Sequence, residues 1–119
     1  MMTRYALFEG HVHDGMEAEF RQAVLDELLP TWTAFPGASA VRVSFAVERD
    51  DGAPAFPLIL AVDFPDRAAL DLALASEERM TSRAATQRVL PRYFTGSIHH
   101  HVTESVSAAP GGRIAGDPI

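Results

Sequence analysis

Cysteine is absent from the 119-residue chain, which excludes disulfide bonds and thiolate metal sites and is compatible with a reducing compartment such as the cytoplasm. An excess of positive charge is also missing, because the formal net charge is -6 and the arginines are scattered along the chain. Nucleic-acid binding depends on clustered lysine and arginine side chains that meet phosphates. The composition therefore predicts no nucleic-acid partner.

Long hydrophobic runs are lacking as well. The longest one, residues 57–62, is far below the roughly 20 residues that cross a bilayer, and the N-terminal residues lead directly into an alternating segment without a secretion signal. The apolar content of 47% still supports a continuous core. We predict a soluble cytoplasmic protein with no membrane partner, made of one domain over residues 1–106 and a tail of small residues over 107–119.

Alternation followed by helical spacing predicts a strand and then a helix in the first part of the chain. Residues 4–12 place apolar and polar side chains on opposite sides, which is typical of a half-buried strand. Asp14 is predicted to cap the next helix, with Glu17 three residues later completing a capping box. Apolar residues then recur at helical spacing until residues 35–37, Phe-Pro-Gly, end the helix.

The second part of the chain has two strands before its helical region and one after it. A strand is predicted over Ser39–Glu48, and the almost wholly apolar segment Pro57–Phe64 has the composition of a central strand. Asp66 is predicted to cap the helical region, which breaks and restarts near Ser76. A last strand is predicted over Thr95–Val106.

The order strand, helix, strand, strand, helix, strand predicts an α+β fold of the ferredoxin-like βαββαβ type. Its four-stranded antiparallel sheet has the strand order 4-1-3-2 with both helices on one face, so the other face is left bare. A mixture of apolar and polar side chains on that face suits a lined cavity better than bulk water, and we therefore expect a second copy of the chain to cover it as a homodimer. The side chains predicted there include Glu9, Ser44, Ala46, Ile59, Ala61, Asp63, His99 and His101.

Four features of the chain occur together in one known family. They are the Phe-Pro-Gly sequence at 35–37, the strand over 58–64 that leads into residues 66–70, the helix restart at 76–78 and the histidine-rich last strand. With them the chain resembles, over residues 5–106, the EthD-like family of the dimeric α+β barrel superfamily. The resemblance implies a barrel formed by the sheets of two chains. It also implies relatives that include monooxygenases, isomerases and cyclases acting on small aromatic or polyketide-like molecules, and haem-binding proteins.

All five histidines fall on the first and last strands, which this topology makes neighbours. Alternation places His99 and His101 on the bare face and His100 on the helix side, where we expect a buried neutral ring bonded to the backbone. Antiparallel pairing of the two strands brings Glu9 within reach of His99. Because a carboxylate beside an imidazole is a general acid/base pair, the predicted catalytic residues are Glu9, His99 and His101.

Other side chains are candidates for holding a small-molecule ligand. Tyr5 and His11 share the bare face with the catalytic candidates and can hold a polar substituent, whereas Trp32 is core packing or a lid over the pocket. For Asp63 an ion pair with Arg42 on adjoining strands is the favoured role. The complete ligand-binding set is Tyr5, His11, Trp32, Ser44 and Asp63.

A metal site stays open as an alternative, because two imidazoles and one carboxylate from His99, His101 and Glu9 are the ligand set of a facial-triad iron site. No cofactor is predicted, since the chain has neither a phosphate-binding fingerprint nor a nucleophile motif. A solvent-facing helix surface, and no anion clamp, is predicted for Arg79, Arg83, Arg88 and Arg92.

Two functions therefore remain. In the first, a small dimeric protein of EthD-like type binds a small apolar or aromatic molecule and promotes proton transfer or cofactor-independent oxidation, with Glu9 orienting an imidazole that acts as base. In the second, the same architecture is a non-catalytic binding or accessory protein whose histidines are structural at the dimer interface. The sequence does not decide between an enzyme and a binding protein.

Overall fold

The computed structural model describes residues 1–112, and this range contains four strands and four α-helices. No helix in this range combines the length and the apolar character needed to cross a bilayer. Of the predicted tail, residues 107–112 are exposed and include a turn, while 113–119 lie outside the described residues. In chain order the elements are β1 (Met2–Val12), α1 (Glu17–Ala23), a π-helical segment (Val24–Leu28), α2 (Leu29–Thr33), β2 (Ala40–Phe45), β3 (Leu58–Phe64), α3 (Arg67–Leu74), α4 (Glu77–Val89), a 3₁₀ turn (Leu90–Arg92) and β4 (Phe94–Glu104).

The four strands form one antiparallel sheet in the order β2-β3-β1-β4, which confirms the predicted ferredoxin-like topology. β1 and β4 pair along their whole length, from Met2 opposite Glu104 to Val12 opposite Phe94. β3 is a central strand, and all but one of its side chains are buried, as its apolar composition predicts. β2 is shorter than predicted, because Pro57 at the start of the facing chain has no N–H group to extend the ladder.

The core fills the space between one face of the sheet and the helices. Alternate residues of β1 and β3 point to this side, among them Phe8, which is fully buried. Its ring centroid lies 6.3 Å from that of Trp32 on α2 and 6.4 Å from that of Phe94 on β4. The largest fully buried side chains are Phe8, Val24, Leu28, Trp32, Leu58, Phe64, Leu70 and Val89.

The first helix begins later than the capping-box pattern predicts. Its N-cap is Met16, no side chain caps the first turn, and the Met16 N–H donates to the His13 carbonyl at 3.0 Å. Gly15 adopts a left-handed φ of 76°, which glycine tolerates without steric cost. The resulting turn separates Asp14 from the first helical N–H groups, so the prediction of Asp14 as the cap is wrong.

A π-helical segment interrupts the first helical region, where the sequence predicted one continuous helix. The Leu29 N–H donates to the Val24 carbonyl five residues earlier, and Pro30 follows immediately. Proline has no N–H and its ring clashes with the carbonyl four residues before it. A wider turn just before Pro30 relieves that clash, and this is the physical reason for the interruption.

The predicted cap at Asp66 and the predicted helix restart near Ser76 are both confirmed. The Asp66 carboxylate accepts a hydrogen bond from the Ala69 N–H at 2.8 Å at the start of α3. The Ser76 hydroxyl accepts from the Arg79 N–H at 3.3 Å, so α4 starts anew one residue after Ser76. This restart sets the direction of α4, which provides one wall of the candidate site.

Candidate functional site

A cavity of about 350 Å³ lies between the helix-facing side of the sheet and the helices α2 and α4. Its floor is apolar because it is made of the alternate residues of β1 and β3 that face the helices. Aromatic side chains of α2 and of the segment after it form the second apolar wall. The apolar lining residues are Ala6, Phe8, Trp32, Phe35, Leu60, Val62, Phe64, Leu74 and Ile98.

One face of α4 supplies the polar wall. Its lining residues follow the spacing i, i+3, i+4, i+7 and i+8, which places side chains on a single face of a helix. Ser82 in this stripe is buried, Arg79 and Thr86 are half-buried, and Arg83 is exposed. The stripe consists of Arg79, Ser82, Arg83, Thr86 and Gln87.

Arg79 is held in place by the end of the preceding helix. Its guanidinium Nη1 donates to the Leu74 carbonyl oxygen at 3.1 Å, a carbonyl at the C-terminus of α3 that needs a donor. The side chain is therefore oriented by the α3–α4 junction. We predicted a purely solvent-facing helix surface for Arg79 and Arg83. The structure corrects this prediction, because both residues line the cavity.

Arg4 and His100 complete the lining from the sheet side. Ala6 is opposite His100 and Arg4 is opposite Val102 in the β1–β4 ladder, so Arg4 and His100 are diagonal neighbours, roughly 7–8 Å apart by strand geometry. Partial burial, and next the charge of Arg79, lower the pKa of Arg4. Its guanidinium remains charged in any case.

His100 is exposed at the cavity mouth, which corrects the expectation of a buried ring among core residues. The reason is that β4 is an edge strand whose helix-facing side is only partly covered, as the exposure of Ile98 and Val102 indicates. Partial removal of water around the ring lowers the pKa of His100, and the positive charges of Arg4 and Arg79 lower it further, with His99 contributing last. A neutral ring is able to accept a proton.

The bare face of the sheet brings Glu9 and His99 together. The His99 Nε2 and the Glu9 Oε1 lie 2.9 Å apart, a hydrogen-bond distance, and both side chains are nearly half exposed. His101 lies on the same face opposite Tyr5. These residues do not line the cavity, because alternation along β1 and β4 sends them to the opposite side of the sheet.

Metal binding receives no geometric support on this face. Within residues 1–112, no three histidine, aspartate or glutamate side chains are grouped so that they could hold an ion. The Glu9 carboxylate is engaged by a single imidazole, whereas a facial-triad site requires two imidazoles and a carboxylate around one position.

Asp63 forms a buried polar network on the bare face. Its carboxylate accepts from the Thr3 hydroxyl at 2.7 Å and is paired with the Arg42 guanidinium, so the predicted ion pair is confirmed. The bond from Arg42 is the main reason that the pKa of Asp63 is lowered, and the bond from Thr3 lowers it further against the opposing effect of burial. Asp63 itself is 7% exposed.

His11 and Ser44, the remaining candidates, are not brought to the Glu9 pair. His11 is exposed near the end of β1, with its ring centroid 6.3 Å from that of His13. Ser44 is exposed on the edge strand β2, so β3 separates it from β1. Their roles in ligand binding remain predictions.

Trp32 is the one predicted site residue that lines the cavity, where it is also fully buried. The polar cavity residues that the sequence reasoning missed are Arg4, Arg79, Ser82, Arg83, Thr86, Gln87 and His100. A usable signal existed in α4, where polar residues recur at the spacing of one helix face beside a narrow stripe of small and apolar ones, Ala85 and Val89.

Comparison with known proteins supports the fold. No family model matches the chain, and no curated protein does so. Among solved structures, an ethyl tert-butyl ether D (EthD) family protein from Bacillus halodurans matches with a TM-score of 0.70 at 17% identity, covering 89% of this chain and 100% of the other. The chain has the same ferredoxin-like α+β fold as this protein, as the sequence predicts. The two-chain barrel that the resemblance implies stays a prediction.

Two further structures share this fold. SnoaB from Streptomyces nogalater, a cofactor-independent oxygenase solved as a mutant, matches with a TM-score of 0.58 at 19% identity over 92% of this chain and 96% of its own. A dimeric ferredoxin-like protein from Thermobifida fusca matches with a TM-score of 0.61 at 14% identity over 86% and 88% of the two chains. Identities this low establish a common fold, and function has to be argued from the site.

Proposed function

We propose that the protein binds a small apolar or aromatic molecule in the cavity between the sheet and the helices α2 and α4. The proposal rests on the cavity itself, which has a volume of about 350 Å³, an apolar floor and a few polar groups on one wall. Ligand sites in proteins have this volume and this kind of lining. Trp32 and Phe8 offer aromatic surfaces against which a planar molecule can pack.

Proton transfer is the chemistry that we propose for the bound molecule. His100 is the imidazole at the cavity mouth, and its lowered pKa keeps it neutral near pH 7. A neutral imidazole can take a proton from an acidic C–H or O–H group of the ligand. Cofactor-independent oxidation by molecular oxygen is the extended form of the proposal, supported by the shared fold of the Streptomyces oxygenase. Its first step is the same proton removal, and O2 is the oxidant that takes electrons from the resulting carbanion.

Filling the cavity tests the binding proposal. Thr86→Trp places a large ring into the cavity from the polar wall, because Thr86 is half-buried and lines it. We expect naphthamide, a neutral aromatic probe, to bind the wild-type protein and to lose at least about tenfold in affinity with this variant. Titration followed by NMR chemical shifts or calorimetry measures the affinity.

The matched control is Thr81→Trp on the same helix. Thr81 is exposed and does not line the cavity, so this variant should bind naphthamide as the wild type does. Equal loss in both variants, or no binding to the wild-type protein, contradicts the proposed cavity function.

Glu9, His99 and His101 retain a proposed role that depends on a second subunit. A homodimer formed through the bare face would enclose the Glu9–His99 pair and remove it from water, where its acid/base coupling would strengthen. The dimeric protein from Thermobifida fusca, which has the same fold, supports this assembly. A cytoplasmic location is proposed with it, since the cysteine-free sequence suits a reducing compartment.

The second candidate function is a non-catalytic binding or accessory protein. The observation that favours it is the position of the Glu9–His99 hydrogen bond on the bare face, outside the cavity. There the pair would connect two subunits instead of acting on a ligand. In that case, loss of the dimer should leave ligand binding in the cavity unchanged.

A further inference from the structure

The positive charges of the cavity lining have no negative counterpart. Among residues 1–112, three arginines line the cavity, namely Arg4, Arg79 and Arg83, and no aspartate or glutamate of this range does. The chain as a whole has a net charge of -6, so the charge of the cavity lining is opposite in sign to the net charge of the chain. A site that gathers cations against the net charge attracts an anion.

Protein carboxylates do not satisfy these arginines in the described part of the chain. The ion pairs within residues 1–112 join Arg42 to Asp63, Arg67 to Asp71 and His99 to Glu9. None of them includes a cavity arginine. Arg4 is also half-buried, and its lowered pKa reports that its charge is partly deprived of water and repelled by Arg79. The attraction of a bound anion would offset both penalties.

The arginines reach the cavity from two different elements, β1 and α4. Arg4 projects from β1 in the sheet floor, diagonal to His100, and Arg79 projects from α4, where its bond to the Leu74 carbonyl restricts it. The rest of the floor is apolar and includes Phe8 and Leu60. The cavity lining therefore has a charged part and an apolar part, which suit two different parts of one molecule.

We propose that the ligand of this cavity is an amphipathic acid, with an aromatic or aliphatic body on the floor and a carboxylate, ionised enol or phenolate held by Arg4 and Arg79. This inference deepens the proposed function and rests on it. Guanidinium groups bind planar anions through paired charge-assisted hydrogen bonds. The neutral His100 beside them is placed to exchange a proton with the same acidic group, taking H⁺ from the enol or phenol form and returning it.

A pair of probes with the same shape and different charge separates the two parts of the proposal. Naphthoate carries a carboxylate where naphthamide has a neutral amide. We expect the wild-type protein at low salt to bind naphthoate at least about tenfold more tightly than naphthamide, because each charged hydrogen bond contributes more than a neutral one. Added salt should weaken naphthoate binding and leave naphthamide binding unchanged.

The arginine variants identify the residues responsible. Arg79→Met, and Arg4→Met with Arg79→Met, should lower naphthoate affinity to the level of naphthamide and leave naphthamide within about twofold. Arg88→Met is the matched control, since Arg88 lies on the same helix, is exposed and does not line the cavity. If the double variant fails to fold, the comparison of Arg79→Met with Arg88→Met carries the test by itself.

The outcomes keep this inference distinct from the proposed function. Equal affinity for the two probes, with no effect of the arginine variants, overturns the acidic-group proposal and leaves the cavity as a site for neutral molecules. Binding of neither probe overturns both proposals. Tight naphthoate binding that Arg88→Met weakens as much as Arg79→Met shows non-specific attraction to surface charge and also overturns the inference.

Discussion

Asp63 is buried on a sheet face that no helix covers, and its partners explain how its charge is tolerated there. The Thr3 hydroxyl and the Arg42 guanidinium both donate to the carboxylate. A buried carboxylate needs such donors because leaving it without them costs several kcal/mol. Arg42 is about half exposed, so water screens part of its attraction to the carboxylate.

Asp63→Ala should therefore lower the free energy of unfolding by about 1–2 kcal/mol at pH 7, since it strands the buried Thr3 hydroxyl and removes a charged acceptor. Urea denaturation measures the change. The control is Asp71→Ala, which removes an exposed pair with Arg67 on one helix and should cost less than about 0.5 kcal/mol.

The effect of Asp63→Ala depends on pH in a defined direction. Because the folded protein lowers the pKa of Asp63 below its ordinary value of 3.8, the carboxylate stabilises the fold at every pH above that value. This stabilisation is lost as the pH falls from 3.8 through the lowered pKa. The difference between wild type and variant should shrink in that range, and a constant difference would contradict the role of the charge.

His99, His100 and His101 illustrate what residue-level reasoning can and cannot decide. Alternation along β4 correctly separates His100 from the other two and places Glu9 beside His99. It does not say how far the helices extend over an edge strand. The exposure of His100 at the cavity mouth follows from that coverage, which is a property of helix packing and has no signature in the histidine run.

At the scale of elements, β1 and β4 approach each other closely at a pair of glycines. Gly10 and Gly96 are opposite one another in the ladder, and Gly10 has a φ of 152°, which L-residues rarely adopt. The end of the Phe94 ring lies over both glycines. A methyl group at Gly96 would overlap the Glu9 carbonyl oxygen, so the close pairing requires glycine.

Gly96→Ala should destabilise the protein by about 1–3 kcal/mol, because backbone atoms of β1 cannot move as easily as a side chain to make room for the methyl group. Thermal or chemical denaturation followed by circular dichroism measures the loss. Ser97→Ala, at an exposed neighbouring position of the same strand, should remain within about 0.5 kcal/mol. A similar stability for both variants would show that the strands separate freely at this point.

Neighbouring residues in the sequence explain where the helices begin and where they are interrupted. The caps at Asp66 and Ser76 follow from short sequence patterns because a cap involves only three or four consecutive residues. Asp14 fails as a cap because Gly15 turns the chain first. The π-helical segment before Pro30 also has a local cause, although the sequence reasoning did not include the clash of the proline ring with the preceding turn.

At the scale of the whole molecule, the bare face of the sheet is the feature that a second chain would cover. Its centre contains the half-buried Ile59 opposite Leu7 on β1. Apolar groups at the centre of a face and polar groups around them are typical of an interface. A homodimer through this face is the assembly that we propose.

Ile59→Lys should convert the dimer into a folded monomer, because a lysine at the centre of the interface would be buried without a partner. Light scattering after size exclusion should show twice the mass of one chain for the wild type and a single chain for the variant. Leu72→Lys, at a residue that is 72% exposed on α3, should remain dimeric. A monomeric wild-type protein would contradict the proposed assembly.

The same variant tests whether the bare face contributes to ligand binding. If monomeric Ile59→Lys still binds naphthamide, the cavity is complete within one chain. If binding is lost together with the dimer, the bare face contributes to the site.

The sequence by itself determined the order of the strands, the face to which each strand residue points and two of the helix starts, because alternation and caps are properties of neighbouring residues. Only the tertiary structure decided which polar residues meet at a cavity. Arg4, Arg79 and His100 come from β1, α4 and β4, and nothing in the spacing of these residues relates them. Their meeting depends on where α4 crosses the sheet and how much of the edge strand it leaves uncovered, which is set by the packing of the whole core.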